Sequence, residues 1–263
     1  MPKLSTTPNQ FIKTLLIGES KTGKTGALAS LARAGYNLFI IDFDVGLDYL
    51  AAELADEPEA LSRIYYESFR DKTKLASDKS VIIDGKAKAF DMAMKTLDAG
   101  IDDSGPAKDL GPNWVVVIDS LWTAGRAAFF EHQKMQASKD PRQNYGGAQA
   151  MIMALLSNLT EADFKAHVIV ITHMTLIELD TGVTKGLPSA IGKAVCADIP
   201  KLFNRMLIME IKGSGSKSRR VISTVPTALI TATSGEKKDK IPAELSVETG
   251  LADFFKAITG GLK

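Results

Sequence analysis

The sequence has little of several features that would indicate a function at once. A single cysteine, Cys196, excludes an internal disulfide bond and suits a reducing compartment. No stretch approaches about eighteen consecutive apolar residues, and residues 1–10 contain no apolar run, so neither a membrane span nor a signal peptide is predicted. The 32 basic and 31 acidic residues nearly cancel, so any nucleic-acid site must be local. We therefore expect a cytoplasmic protein without a membrane partner.

The most informative stretch that is present is LLIGESKTGKT, residues 15–25. The pattern G-x-x-x-x-G-K-[ST] of a phosphate-binding loop is matched by Gly18, Gly23, Lys24 and Thr25. Glycines allow a tight turn that points backbone N–H groups at an anion, Lys24 would reach the β- and γ-phosphates, and the Thr25 hydroxyl would hold Mg²⁺. We predict a nucleotide site that is formed by Gly18, Glu19, Ser20, Lys21, Thr22, Gly23, Lys24, Thr25 and Gly26.

Apolar runs alternate with helical spacing along the chain. Runs typical of buried parallel strands occupy residues 11–17, 37–42, 114–118 and 167–171, and an antiparallel pair is predicted at 206–212 and 220–225. Residues 136–147 read as a polar loop, and 175–189 as a long loop or hairpin. The pattern predicts an α/β fold with a mostly parallel central sheet, helices on both faces and a late antiparallel strand pair. Three parts are expected: a flexible N-terminus at 1–10, a core at 11–232 and a C-terminal extension with one helix at 233–263.

Acidic side chains follow two of the predicted strands. Asp119 ends the most apolar run, and the carboxyl ends of parallel strands share one crevice, so Asp119 is predicted to hold Mg²⁺ together with Thr25. Alternatively, Asp119 caps the next helix. Asp44 is predicted to orient and deprotonate the water that attacks the γ-phosphate, while Asp42 supports the turn. The alternative for Asp44 is a loop carboxylate that faces solvent.

Histidine is scarce, and one of the three residues stands at a strand end. His173 could hydrogen-bond the γ-phosphate or the attacking water, or it is an ordinary hydrogen-bonding group. His132 and His167 show no metal-ligand spacing, so no metal is predicted apart from the nucleotide's Mg²⁺.

In the order of these parts, residues 11–232 resemble the RecA family of P-loop ATPases, and more narrowly the compact RecA-like ATPases of phages, some of which are single-strand annealing proteins. GESKTGKT matches the Walker A element, WVVVIDSL resembles the Walker B strand, IIDFDVGLD the strand and loop of the catalytic carboxylate, and ITHM the sensor strand. The resemblance implies a RecA-like core and an ATPase that uses ATP and Mg²⁺. It places catalytic roles on Lys24, Asp44, Asp119 and His173, in the host cytoplasm if the protein is phage-encoded.

The resemblance also implies single-stranded DNA as a partner. In RecA proteins the strand runs along two loops, which correspond here to residues 136–147 and 175–189. Lys139, Arg142 and Lys185 would contact phosphates, and Tyr145 would stack a base, although such loops are also commonly just solvated. Other phage replication or recombination proteins are further possible partners.

A homo-oligomer, either a ring or a filament, is implied in the same way. RMLIMEIKGSGSKSRRVIST resembles the late hairpin that carries basic residues to a neighbouring subunit's nucleotide. Lys212, with Lys217 as second choice, would therefore act in trans. The alternatives are a solvated hairpin tip or direct contact with DNA phosphates.

Three other functions fit parts of the sequence. An AAA+-type helicase loader or remodelling ATPase would have a lid of several helices after the core. A small-molecule P-loop kinase would clamp two phosphoryl groups with basic lid residues. A nucleotide-gated scaffold with slow hydrolysis would fit the short side chain of Asp44.

Overall fold

A computed structural model describes residues 11–79, 81–136, 141–178, 182–237 and 240–262; the predicted flexible terminus at 1–10 lies outside these ranges. Within them the strands β1 to β12 are, in order, Lys13–Gly18, Asn37–Asp42, Ile64–Ser68, Thr73–Leu75, Val81–Ile83, Gly111–Asp119, Ala166–Thr172, Met174–Glu178, Thr184–Pro188, Arg205–Lys212, Arg219–Ser223 and Glu244–Ser246. The helices α1 to α9 are Lys24–Ala27, Ala29–Arg33, Asp48–Glu53, Pro58–Leu61, Ala89–Ala99, Leu121–Gln136, Pro141–Thr160, Lys193–Asp198 and Gly250–Thr259.

The centre of the described part is an eight-stranded sheet in the order β12-β11-β10-β1-β7-β6-β2-β3. The strands from β10 to β3 are all parallel, whereas β11 and β12 run antiparallel at one edge. β7 therefore separates the strand of the phosphate-binding loop from the strand that ends in Asp119. This confirms the predicted RecA-like α/β architecture, including the late antiparallel pair.

Both faces of the sheet are buried, and the strands show why. On β1, Leu15 and Ile17 point into the cluster that also contains residues of α5, α6 and α7, whereas Leu16 points into the cluster of α1, α2 and α9. The other central strands alternate in the same way, so each is apolar on both sides. Continuous apolar runs are the sequence signature of such strands.

The C-terminal segment packs directly on this core. Phe254 and Phe255 of α9 are fully buried, and the Phe255 ring lies 5.4 Å from Tyr36 and 5.1 Å from His167. The His167 Nδ1 accepts a hydrogen bond of 2.9 Å from the backbone N–H of Ile12. Burial lowers the pKa of His167 to about 4, so this histidine is a neutral structural group.

The prediction of a polar loop at residues 136–147 is wrong beyond residue 140, because α7 begins at Pro141. Proline suits the first helical position, since its fixed φ is already helical and no N–H partner is needed there. A Cβ on Gly147 would lie 1.9 Å from Nε2 of His132, so this glycine lets α7 approach α6 closely. Arg142 and Tyr145 thus lie on the first turns of a helix.

The segment at 175–189, predicted as a long loop or hairpin, is a hairpin within its described residues, because β8 and β9 pair antiparallel. A second small hairpin is formed by β4 and β5. Among the helices in the described ranges, none has the length and apolar character needed to cross a bilayer.

Candidate nucleotide site

The phosphate-binding loop lies at the carboxyl end of β1. A Cβ on Gly18 would lie 2.6 Å from the Met209 carbonyl oxygen on β10, so only glycine fits beside that strand. Gly23 has a left-handed φ of 96°, which glycine adopts without strain, and α1 begins at the next residue. Strand, loop and helix therefore follow one another in the order that the motif requires.

The Lys24 side chain folds back over this loop. Its Nζ donates hydrogen bonds of 2.9 Å to the Gly18 carbonyl and 2.7 Å to the Glu19 carbonyl. Burial lowers the pKa of Lys24, although the nearby carboxylates of Asp119 and Asp44 oppose the shift. The loop thus holds a buried cation over the hollow that its backbone encloses, which is where a phosphate group would bind.

Thr25 and Asp119 are joined by a direct hydrogen bond at this edge of the sheet. The Thr25 Oγ1 donates a hydrogen bond of 2.6 Å to Oδ2 of Asp119, which is only 3% exposed. Burial raises the pKa of Asp119 to about 7, and the negative charges of Asp44 and Asp42 add to the increase. A buried carboxylate in this position would be stabilised by a bound cation.

These two residues fit a nucleotide-bound Mg²⁺. Mg²⁺ prefers oxygen ligands and usually takes only one or two from the protein, with phosphate and water supplying the rest. The described part of the chain contains no cluster of three or more His, Cys, Asp or Glu residues that would bind a metal by itself. A hydroxyl and one carboxylate therefore suit a metal that binds together with its nucleotide.

Asp44 is held by the first turn of α6. Its Oδ1 accepts a hydrogen bond of 3.0 Å from the Ser120 hydroxyl and a very short one from the Thr123 hydroxyl. The backbone N–H of Asp44 donates to the Asp119 carbonyl, 3.2 Å away. Asp44 is therefore half-buried and fixed relative to Asp119. The two hydroxyls were not among the predicted residues.

Asp42 stabilises the turn that delivers Asp44. One carboxylate oxygen accepts hydrogen bonds from the backbone N–H groups of Asp44 (3.1 Å) and Val45 (2.8 Å). The other accepts a hydrogen bond of 2.8 Å from the Ser68 hydroxyl. Burial raises the pKa of Asp42, and these hydrogen bonds oppose that shift.

His173 follows β7 and lines the same cavity as Asp44 and Thr123. The cavity measures about 300 Å³. Burial lowers the pKa of His173, the positive charge of Lys24 lowers it further, and the negative charge of Asp44 opposes the shift, so the neutral ring is favoured. A neutral imidazole can donate one hydrogen bond and accept another, which suits a group beside a phosphate or a water.

Two further side chains contact the loop helix from outside. A Cβ on Gly26 would lie 2.5 Å from the Tyr49 ring, and one on Gly23 would lie 3.2 Å from Cδ of Arg220. Tyr49 and Arg220 line a small cavity with these two glycines. The sequence offered only one hint of this arrangement, namely the glycine that directly follows Thr25.

Lys212 lies near the phosphate-binding loop of its own subunit, although it was predicted to reach the nucleotide of a neighbouring one. It lines a cavity of about 370 Å³ together with Gly18 and Glu19. Its Nζ forms an ion pair with Glu244 of β12 and lies 3.7 Å from Glu210. A role in trans would require Lys212 to leave Glu244.

The residues predicted to contact DNA lie on separate elements. Lys139 falls outside the described residues. The exposed Tyr145 ring on α7 packs 4.7 Å from the ring of Phe129, and Arg142 lies one turn earlier. Lys185 lies on β9, opposite Ile177 of β8.

Comparison with known proteins adds a family to this geometry. The family described as AAA domain (AAA_24) matches residues 10–234. No curated protein matches the sequence. Similar solved structures include a KaiC-like protein from the hyperthermophilic archaeon Pyrococcus horikoshii OT3, with 12% identity, a TM-score of 0.42 and coverage of 81% of this chain and 77% of that chain. Another is the flagellar accessory protein FlaH from Methanocaldococcus jannaschii, with 13% identity, a TM-score of 0.42 and coverage of 81% and 76%.

The two solved structures are too distant to bear on function. The family match, in contrast, spans most of the chain and includes every residue of the phosphate-binding loop. The chain belongs to the AAA domain family and is a P-loop ATPase with a RecA-like fold.

Proposed function

We propose that this protein is a Mg²⁺-dependent ATPase that acts on single-stranded DNA in phage-type recombination or annealing. The observation that carries the ATPase part is the 2.6 Å hydrogen bond between Thr25 and Asp119, beside the buried amine of Lys24. The DNA part rests on the resemblance of the sequence to phage RecA-like proteins.

The residues of the loop bind and neutralise the phosphates. Lys24 moves its amine from the Gly18 and Glu19 carbonyls to the β- and γ-phosphates, where a point charge stabilises the transferring group. Thr25 and Asp119 would hold the metal, which supplies positive charge that offsets the charge developing on the phosphates.

Asp44 is the candidate general base for the attacking water. Its Oδ1 is oriented by Ser120 and Thr123, and no described residue donates a hydrogen bond to the second oxygen, which can accept a proton. His173 lines the same cavity and would hydrogen-bond the water or the γ-phosphate. These contacts support Asp44 as the candidate base.

Two observations weigh against the loader and the kinase. After β11 the described residues contain a single helix, α9, whereas an AAA+-type loader would have a lid of several helices. A small-molecule kinase would need a basic lid over the nucleotide, and this segment packs on the core instead. The short side chain of Asp44 favours a slowly hydrolysing, nucleotide-gated scaffold as the second candidate.

Steady-state ATP turnover tests this proposal when it is measured without DNA, with single-stranded DNA and with duplex DNA, alongside the assembly state by size. We expect Mg²⁺-dependent turnover that rises with single-stranded DNA, and a homo-oligomer on the strand. ATP binding without turnover under all conditions would favour the scaffold. If turnover is the same with and without DNA, the DNA part of the proposal is wrong and the ATPase part stands.

A further inference from the structure

A strongly basic surface segment lies outside the two regions that the sequence resemblance assigns to DNA. We call residues 70–79 and 81–88, which include β4 and β5, the basic hairpin. It carries six positive and three negative residues, a net charge of +3 in a chain of net charge +1. Residues 136–147 carry a net charge of +1, and residues 175–189 a net charge of −1. Residues 212–220 carry a net charge of +4, but Lys212 and Arg219 in that segment are paired with Glu244. Local charge therefore favours the basic hairpin over the two assigned regions as the surface for a polyanion.

The cations of the basic hairpin are available to a ligand. All six are exposed: Arg70, Lys72, Lys74, Lys79, Lys86 and Lys88. Among the described residues only Lys74 has an ion-pair partner, which is Asp84 at 2.8 Å. Apolar side chains lie beside these charges, and Leu75 is 69% exposed. Positive charge combined with aromatic side chains is typical of surfaces that bind single-stranded nucleic acids.

The 300 Å³ cavity beside Asp44 opens between the base of this hairpin and the first turns of α6. Trp122 of α6 is 41% exposed, and the guanidinium of Arg126 lies 5.3 Å from its ring centre. Arg70 lines the cavity from the hairpin side. One carboxylate oxygen of Asp71, also in the lining, is buried and has no hydrogen-bond partner in the described part. An aromatic face, two guanidinium groups and a free acceptor match the parts of a nucleotide unit.

We propose that single-stranded DNA binds in the cleft between the basic hairpin and the first turns of α6. A base stacks on Trp122 and donates a hydrogen bond to Asp71, and the phosphates contact Arg126, Arg70 and the hairpin lysines. This inference rests on the proposed function, because it assumes that single-stranded DNA is the partner. It assigns the principal contact to a surface other than α7 and β9.

The cleft also reaches the candidate catalytic carboxylate. Thr123 directly follows Trp122, and its hydroxyl donates a hydrogen bond to Asp44. Asp44 and His173 line the same cavity as Trp122. A strand that occupies the cleft therefore contacts the helical turn that holds Asp44, which provides a physical route from DNA binding to hydrolysis.

The first test uses tryptophan fluorescence, because the chain has only two tryptophans. Trp114 is partly buried and packs 4.9 Å from Tyr65, whereas Trp122 lies in the cleft. We expect oligothymidylate to quench the emission of the wild type and of Trp114→Phe, but not that of Trp122→Phe. Quenching in Trp122→Phe that equals the wild type would overturn stacking on Trp122.

The second test measures oligothymidylate affinity at several salt concentrations. We expect Lys72→Glu/Lys86→Glu to bind at least about tenfold more weakly, with a slope of log K against log salt that is smaller by about 1.4, since each single-strand phosphate contact contributes about 0.7. Lys256→Glu, which reverses an exposed charge on α9, is the matched control and should bind like the wild type. Nucleotide binding by each variant verifies that its fold is intact.

Two outcomes separate this inference from the proposed function. If Lys72→Glu/Lys86→Glu binds like the wild type while Arg142→Glu/Lys185→Glu loses affinity, the cleft is wrong and the proposed function stands. If the wild type neither binds oligothymidylate nor is stimulated by it, the DNA part of the proposed function fails, and the cleft assignment fails with it.

Discussion

The Thr25 hydroxyl donates a hydrogen bond to the Asp119 carboxylate across 2.6 Å, although 94 positions separate the two residues in sequence. The sheet order brings them together. β1 and β6 are parallel strands with only β7 between them, so their carboxyl ends meet at the same edge. Thr25 belongs to the phosphate-binding loop and Asp119 to the end of β6. The order of the strands places these two segments side by side in one site.

Asp119→Asn is expected to weaken the binding of ATP with Mg²⁺ by roughly 10–100-fold or more, because it removes the charge that the metal contacts. Binding without Mg²⁺ should change far less. Titration of a fluorescent ATP analogue, with Mg²⁺ and then with a chelator, measures both values. Asp98→Asn, which changes an exposed carboxylate on α5, is the control. Equal losses in the two conditions would indicate a folding defect instead of a metal ligand.

The same substitution should stabilise the protein in the absence of nucleotide and metal. The folded-state pKa of Asp119 is about 7, above its unfolded value of 3.8, so the native state binds the extra proton and loses stability as pH rises between these values. Asparagine carries no charge, so the gain in the free energy of unfolding should grow from about pH 4 to pH 7 and reach the order of 2–4 kcal/mol. Urea unfolding at several pH values measures this. If the difference in the free energy of unfolding between the variant and the wild type does not change with pH, Asp119 does not have a raised pKa.

Asp44→Asn should leave ATP affinity near normal and lower kcat by about 10²–10⁴-fold, as expected for a general base. Thr123→Val should lower kcat by a smaller factor because it removes only the hydrogen bond that orients Asp44, and Thr123→Ser should restore turnover. Single-turnover kinetics separates chemistry from binding. If Asp44→Asn turns over within a few-fold of the wild type, Asp44 does not take the proton.

Local pattern explains which parts of this account were predictable. Short local segments were enough to predict the phosphate-binding loop, the strand end at Asp119 and the buried parallel strands, because the residue spacing in each segment is typical of one structure. The start of α7 was missed because polar residues and two glycines disfavour a helix locally, whereas packing of Gly147 against His132 supports one. β12 was missed because three residues are too few to show alternation.

The contacts of Asp44 with Thr123, of Gly26 with Tyr49 and of Gly23 with Arg220 are of another kind. Each joins segments that are distant in sequence, and neither partner has a spacing that identifies the other. Such pairs are defined by the order of the strands and by the packing of the helices. They became visible only in three dimensions.

Lys212 is expected to act on the nucleotide of the neighbouring subunit, where a cation supplied in trans would stabilise charge on the transferring phosphoryl group. Lys212→Ala should therefore be inactive alone, and so should Lys24→Ala. When the two variants are mixed, turnover should reappear, because one interface combines an intact phosphate-binding loop with an intact Lys212.

The mixture also tests whether Lys212 acts in cis, on the nucleotide of its own subunit. That role is an alternative because Lys212 lines a cavity together with Gly18 and Glu19 of its own phosphate-binding loop. If the variants co-assemble and the mixture stays inactive, Lys212 acts within its own subunit or only pairs with Glu244. Lys217→Ala, tested in the same way, addresses the second-choice residue on the neighbouring turn.

The most direct measurement of the central claim is ATP turnover by the wild type, Lys24→Ala and Lys256→Ala, each with and without single-stranded DNA. Lys24 is the buried cation of the phosphate-binding loop, whereas Lys256 is an exposed lysine on α9. We predict that the wild type and Lys256→Ala hydrolyse ATP and are stimulated by the strand, and that Lys24→Ala loses at least about 100-fold in turnover while remaining folded. Turnover in Lys24→Ala equal to that of the wild type would contradict the assignment of this loop as the ATPase site.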